Sequence, residues 1–559
     1  MKKHFLLLII ILLSACKNEQ EAKKEEVILW TPYNDSIEVA ANGDHEIGRM
    51  QYKLIQSKVL DKNEVFRPLY EEVSKLTEGE YQKLLPMILE QDIFVIRNHI
   101  KEGRLTYENL VLFYLYRIYK YELNNETTLN TIIALNKDVV AQARELDREN
   151  EKGIAAQTQH PIYGMPILLK DNINALGMKT TAGSIALMDN EVDDSFIVQQ
   201  LKKNGALILG KVNLSEWAYF LCSGCPVGYS AYGGQTLNPY GRKVFETGGS
   251  SSGSGTAVAA NYAVAAVGTE TSGSILSPSS QNSVVGLKPT IGLLSRSGIV
   301  PISSTLDTPG PMTKNVRDNA NLLSAMFGYD ESDPASVEDN FMGVLSVGLH
   351  PIPFSEMRLG AIKELMESDS IYKQTIEDLK EAGATIIEFT PPEVAMNGFL
   401  SILNIDMRND LKSYLKEKTN PELVKITSIA DAVIFNNADS LVRIPYGQAL
   451  FEGILSDTTT TTELEEIKSN LEKNGRTFFD TAMDKYKLDA VLSINNYHAG
   501  YAAVAKYPAL TIPMGYKVSG EPISLTFIGK QFSEAHLLNM GKSYEDNFHN
   551  RVMPKDYQN

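Results

Sequence analysis

Residues 247–266 read "TGGSSSGSGTAVAANYAVAA", and they restrict the fold more than any other stretch. The first ten are Gly, Ser or Thr, a composition usual in flexible spacers. The rest are mostly Ala and Val, which favour packed structure. A spacer has no reason to sit between apolar, strand-compatible segments. Glycines let a backbone approach other groups closely and adopt positive φ. Consecutive amides leading into a helix N-terminus form an anion-friendly concavity. A phosphate loop of the form G-x-x-x-x-G-K-[ST] competes with this reading, but its lysine is missing. A second such turn follows in "GTETSGSILSPSS", residues 268–280. A serine in a tight Gly-rich turn is open for attack, and the turn's amides can hold the resulting oxyanion.

In "GMPILLKDNI" (164–173), Lys170 ends an unbroken apolar run of the kind that forms a buried strand. Burial there lowers an amine pKa from about 10.4 and prepares it as a general base. The alternative is a strand-end lysine that reaches solvent or pairs with Asp171. Elsewhere, residues 60–150 carry helical apolar spacing, and 160–300 alternate strand-sized runs with Gly-rich turns. A more polar helical region spans 330–485, after which strand-like runs return in "LDAVLSI", "PALTIPMGY" and "PISLTFIGK". This pattern predicts an α/β fold, with one large domain interrupted by a helical excursion.

The chain opens with a basic segment, an apolar run from Phe5 to Leu13, and "LSAC" ending at Cys16. This is the form of an export signal, too short to span a bilayer. The ending resembles a bacterial lipobox, which implies lipidation of Cys16 and anchoring to a membrane surface. Residues 1–15 are then the signal peptide and 16–30 the lipidated cysteine with a charged tether. The expected location is a bacterial membrane, on its periplasmic or cell-surface face. A formal charge of −16 argues against nucleic acid as a partner. Cys222 and Cys225 form a lone C-x-x-C, which is poor for structural zinc and open to either a disulfide or a plain loop role. No cluster suggests a metal or cofactor, and no histidine lies in the glycine-serine turns.

Taken in order, "GMPILLKDN", "TAGS" (181–184), "LGKVNLSEW" (209–217), "TGGSSSGSG", "GTETSGSI", "GLKPTIGLLSRSGIVP" and "DTPGPM" (307–312) resemble the amidase signature family. The C-terminal "PALTIPMGY" and "GEPISLTFIGKQFSEAHLL" continue the resemblance, which covers residues 88–548 and leaves 31–87 as a helical N-terminal extension. It implies a mixed β-sheet core flanked by helices and an amidase using a Ser-cisSer-Lys triad, without cofactor or metal. By motif position, Ser274 is the nucleophile, Ser250 the bridging cis-serine and Lys170 the base, with Thr271, Ser272 and Gly273 around the oxyanion. The motifs depart from the family at Glu270 (commonly Asp), Ser272 (commonly Gly) and Leu276 (often Arg). The "GTET", "GGQTLNP" and "SRSGIVPIS" forms are most similar to the peptide-amidase branch, which implies hydrolysis of C-terminal peptide amides. Two alternatives are a catalytically silent binding lipoprotein and the glutaminase (A) subunit of a tRNA-dependent amidotransferase, which an export signal disfavours. The oligomeric state is not legible.

Overall fold

The computed structural model describes residues 27–152, 159–338 and 348–559. The signal segment, Cys16 and most of the charged tether lie outside them. Eleven strands form one mixed sheet: β1 (Ile132–Leu135), β2 (Pro166–Lys170), β3 (Leu207–Val212), β4 (Ala265–Glu270), β5 (Val285–Lys288), β6 (Thr308–Thr313), β7 (Arg358–Ile362), β8 (Thr385–Phe389), β9 (Ala490–Ile494), β10 (Ala509–Tyr516) and β11 (Pro522–Ile528). Their spatial order is β1-β3-β2-β4-β6-β5-β10-β11-β9-β7-β8. The β3-β2-β4 part is parallel, and antiparallel pairs join it through β6, β5, β10 and β11 to β9. The central strands are buried along their whole length, as expected for a sheet covered on both faces.

The predicted α/β class holds, and one part of the predicted organisation changes. The region 330–485 is not purely helical, because β7 and β8 lie in it and extend the sheet in parallel with β9. Each is only five residues long, between polar helices, and β8 is largely half-buried, so its alternation was too short to stand out. The N-terminal extension 31–87 packs against the rest of the chain. Met50, Tyr52, Phe66, Tyr81 and Ile88 pack into the same core as Leu110, Ile118 and the central strands. The chain end closes over that core. Buried Arg117 donates to the carbonyls of Tyr557 (2.6 Å) and Ala260 (3.0 Å), so one guanidinium ties the C-terminus to the serine-rich helix. A second apolar cluster lies beneath the helix Phe399–Glu417 and its neighbours, around Trp217, Phe220 and Leu221. Among the described residues, no helix is long and apolar enough to cross a membrane.

The glycine-serine run is a packed wall. The helix Ser252–Ala259 is buried on every side, which accounts for its apolar and small residues all around. Gly253 admits no side chain, since a Cβ would lie 2.4 Å from the Asn213 carbonyl oxygen. Gly248 has φ +61° and a Cβ there would lie 2.6 Å from the Ser277 carbonyl carbon. The serines have a matching reason to be buried. Ser251 Oγ donates to Thr269 O (3.0 Å) and Ser254 Oγ to Val267 O (3.0 Å), lacing the helix to β4.

Candidate active site

The parallel pairing of β2 with β4 sets Leu169 opposite Val267, so both strands deliver their C-terminal ends to one place. Sites in parallel sheets form at such ends. Lys170 is fully buried there, and its Nζ donates to Ser250 Oγ (2.8 Å), Thr269 Oγ1 (2.8 Å) and Thr269 O (3.1 Å). All three acceptors are neutral. Burial pulls the Lys170 amine down to about 7, against the weaker opposing pull of the Asp307 and Glu270 charges. The alternative partner, Asp171, points to the other face of the strand and pairs with Lys211 at 3.0 Å.

Ser250 follows a cis peptide bond from Gly249. Its carbonyl accepts the Ser215 N–H (3.0 Å), and the next amide, Ser251 N–H, donates to the Ser274 carbonyl (3.2 Å), which fastens the two serine turns together. Ser274 keeps 9 % exposure while Lys170 and Ser250 have none, so the outermost of the three is the one a substrate can meet.

The turn holding Ser274 is organised by Glu270. Its Oε1 accepts the Gly273 N–H (2.7 Å), and its Oε2 accepts those of Ile275 (2.7 Å) and Leu276 (3.0 Å). Burial raises the Glu270 pKa, and these amides and Lys288 oppose the rise. The replacement of Asp by Glu therefore keeps a carboxylate with a structural task. The expectation for Gly273 changes, because its amide is committed to Glu270. Of the expected oxyanion set, the Thr271 and Ser272 amides are left for that role. Thr271 is held by its own Oγ1, which donates to Asp307 Oδ1 (2.5 Å). Leu276 is buried, so the position offers no contact to a substrate carboxylate.

Sequence reasoning missed Thr269, which takes two of the three Lys170 hydrogen bonds, and Asn172, whose Nδ2 donates to Thr269 Oγ1 (3.0 Å). Both lie inside motifs already quoted, within two residues of Lys170 or Thr271, but only the β2–β4 register brings them together. Among the described residues, no histidine hydrogen-bonds Lys170, Ser250 or Ser274. His160 bonds Ser324 Oγ (3.1 Å) and His498 bonds Ser493 Oγ (2.6 Å), and burial takes both down to about 4. His536 lies 3.4 Å from Asp489. Cys222 and Cys225 are joined as a disulfide, which closes the question their spacing left open. Among the described residues, no group of three or more His, Cys, Asp or Glu could hold a metal ion. A cavity of ≈ 210 Å³ opens beside the Ser274 turn, with Asn172, Thr269, Thr271 and Asp307 in its wall. A larger groove of ≈ 1170 Å³ along the helix Thr461–Tyr486 shares only Ser304 with it.

A family model described as Amidase matches residues 109–496. The chain is 38% identical to the "Probable amidase" of Arabidopsis thaliana over 488 residues, 84% of this chain and 92% of that one. The crystal structure of an amidase family protein from Bacillus anthracis superposes with a TM-score of 0.83 at 35% identity, covering 90% of this chain and all of that one. The peptide amidase from Stenotrophomonas maltophilia superposes with a TM-score of 0.75 at 35% identity, covering 83% and 98% respectively. Subunits A of glutamyl-tRNA(Gln) amidotransferases also match, that of Nitrosomonas europaea at 29% identity over 485 residues, 78% of this chain and 96% of that one.

Proposed function

Given that the chain belongs to the amidase signature family and is an amidase, we propose that it cleaves carboxamide C–N bonds through an acyl-enzyme on Ser274. The observation that carries this reading is the Lys170–Ser250 contact at 2.8 Å on an amine whose pKa lies at about 7. In the neutral amine, two N–H groups stay on the Thr269 oxygens and the lone pair faces Ser250 Oγ. Lys170 takes the Ser250 proton as Ser250 takes that of Ser274, whose oxygen attacks the amide carbon. The oxyanion lies against the Thr271 and Ser272 amides. The C–N bond then breaks as Ser250 returns a proton to the departing amine and regains one from Lys170. Water, activated by the same relay, releases the acid.

The similarity to a peptide amidase and the "GTET" and "SRSGIVPIS" forms support C-terminal peptide amides as the substrate class. A chain lacking residues 1–26, assayed for ammonia release, is expected to prefer N-acetyl dipeptide amides over free glutamine. Equal or better use of glutamine would overturn that substrate class and favour the glutaminase reading. The "LSAC" ending supports an exported protein held at a membrane surface by lipid on Cys16. Cys16→Ser is expected to leave the protein unprocessed or to release it from the membrane fraction. Normal processing and retention of that variant would refute lipid anchoring.

Glu270→Gln tests the turn. One acceptor oxygen becomes an NH₂ group facing backbone N–H donors, so the turn loses its fit around Ser274. The expected result is a kcat lowered by roughly 10- to 100-fold, with KM changed less, because a displaced turn affects the reacting geometry more than ground-state binding. An unchanged kcat in steady-state kinetics would show that Glu270 does not position the nucleophile.

A further inference from the structure

We propose that the ≈ 210 Å³ cavity beside the Ser274 turn is a subsite for a cationic group on the acyl portion of the substrate, received by the carboxylate of Asp410. The inference rests on amide hydrolysis at Ser274 and adds the chemical class of the acyl group. One wall is the reacting side, with Thr269, Thr271 and Asn172. The opposite wall is the helix Phe399–Glu417, which contributes Asp410 and Tyr414. The cavity thus lies where the part of a substrate beyond its scissile carbonyl can extend.

Charge in this wall is unevenly paired. Asp333 faces the Arg296 guanidinium, Glu417 and Lys418 stand side by side at the end of the helix, and behind the wall Asp406 lies 3.1 Å from Lys468 and accepts from Ser303 Oγ (2.6 Å). Asp307 is half-buried and receives Thr271 Oγ1 and the amides of Ile302 (2.8 Å) and Ser303 (2.9 Å). Asp410 is met by Ser304, through its N–H at 2.6 Å and its side chain, and has no cationic side chain within 4.0 Å among the described residues. Half-buried and near the Asp406 and Asp307 charges, it is raised to about 6, so it is an anion at neutral pH in surroundings that penalise the charge. Arg296, in the same wall, interacts with the Asp410 charge at longer range, while its hydrogen bonds go to Asp333 and the Ser304 carbonyl. An entering ammonium or guanidinium relieves the penalty on Asp410, and an anion adds to it.

Asn172 supplies a second, independent sign of a donor-bearing ligand. It lines the cavity and is 2 % exposed, with its Nδ2 committed to Thr269 Oγ1. Its Oδ1 has no hydrogen-bond partner among the described residues. A buried acceptor is rarely left unmet, and an N–H from within the cavity would meet it.

The test compares N-acetyl-lysinamide with N-acetyl-norleucinamide, similar in length and different in charge, on the wild type and on Asp410→Asn. Asparagine keeps an oxygen for the Ser304 N–H, so the exchange removes the charge and little else. The wild type is expected to favour the lysine amide in kcat/KM by about tenfold, the size of a charge-assisted contact in a half-buried site. In Asp410→Asn that ratio is expected to fall to near one. Equal use of both amides by the wild type, or a lysine preference that survives the substitution, would overturn the subsite. If neither amide is hydrolysed, the reaction assigned above fails separately. Calorimetric binding of the same two amides then decides the subsite. A lysine preference lost in Asp410→Asn upholds it, and the absence of preference refutes it.

Discussion

Replacing Ser274 by alanine is expected to lower amide turnover by roughly 10⁴-fold or more, the scale of losing a nucleophile that acts as a unit with its base. The side chain loses one oxygen. The surrounding turn is held by backbone amides on Glu270 and by the Ser251 N–H on the Ser274 carbonyl, and none of these bonds involves the deleted hydroxyl. The folded structure should therefore persist, with an unfolding midpoint in denaturant close to that of the wild type. Rapid mixing of the wild type with an activated ester should show a burst of acyl-enzyme that the Ser274→Ala protein lacks. Retention of wild-type turnover by a folded Ser274→Ala protein would remove Ser274 from the reaction.

Lys170→Arg is expected to be as damaging as Lys170→Ala, with turnover lowered by several orders of magnitude in both. Guanidinium keeps its proton throughout the working range and cannot accept one from Ser250. Because a buried guanidinium without a counter-ion can also unfold the protein, Lys170→Met is the companion variant. It fills the same apolar space without charge, and its loss of activity must equal that of the other two. The pH dependence follows from the sign of the shift. The active form is the neutral amine, and burial has lowered the Lys170 pKa to about 7. Activity should rise with pH through about 7 and level off above it. At pH 5 about 1% of the amine is neutral, so kcat/KM falls about tenfold for each pH unit below 7. An acid limb centred near 4, where the half-buried His160 and His498 titrate, would point to a histidine base. Substantial activity in a folded Lys170→Arg protein would leave lysine as a structural cation only.

The residues of the candidate site could be picked out in the chain because their motifs are local, while their roles came from the resemblance of those motifs to a family. A serine in a tight Gly-Ser turn, or a lysine at the end of the apolar run 167–169, carries its chemistry within a few residues. The α/β alternation was legible for the same reason, since strand and helix periods repeat over short windows. β7 and β8 were not, because five-residue strands between polar helices give too few alternations to separate them from helix.

The sequence by itself determined which residues could react and that glycine had to stand among them. Those limits are set by side-chain chemistry and by backbone sterics, both properties of a residue and its nearest neighbours. Only the tertiary structure decided their relations. Lys170 meets Thr269 because β2 and β4 are parallel in one register, although 99 residues of sequence separate them. The same arrangement turns Asp171 to Lys211 and commits the Gly273 amide to Glu270. A lysine pKa near 7 likewise belongs to the assembled core. Desolvation is the sum of everything packed around the amine, and the atoms that exclude water from Lys170 come from segments far apart in the chain.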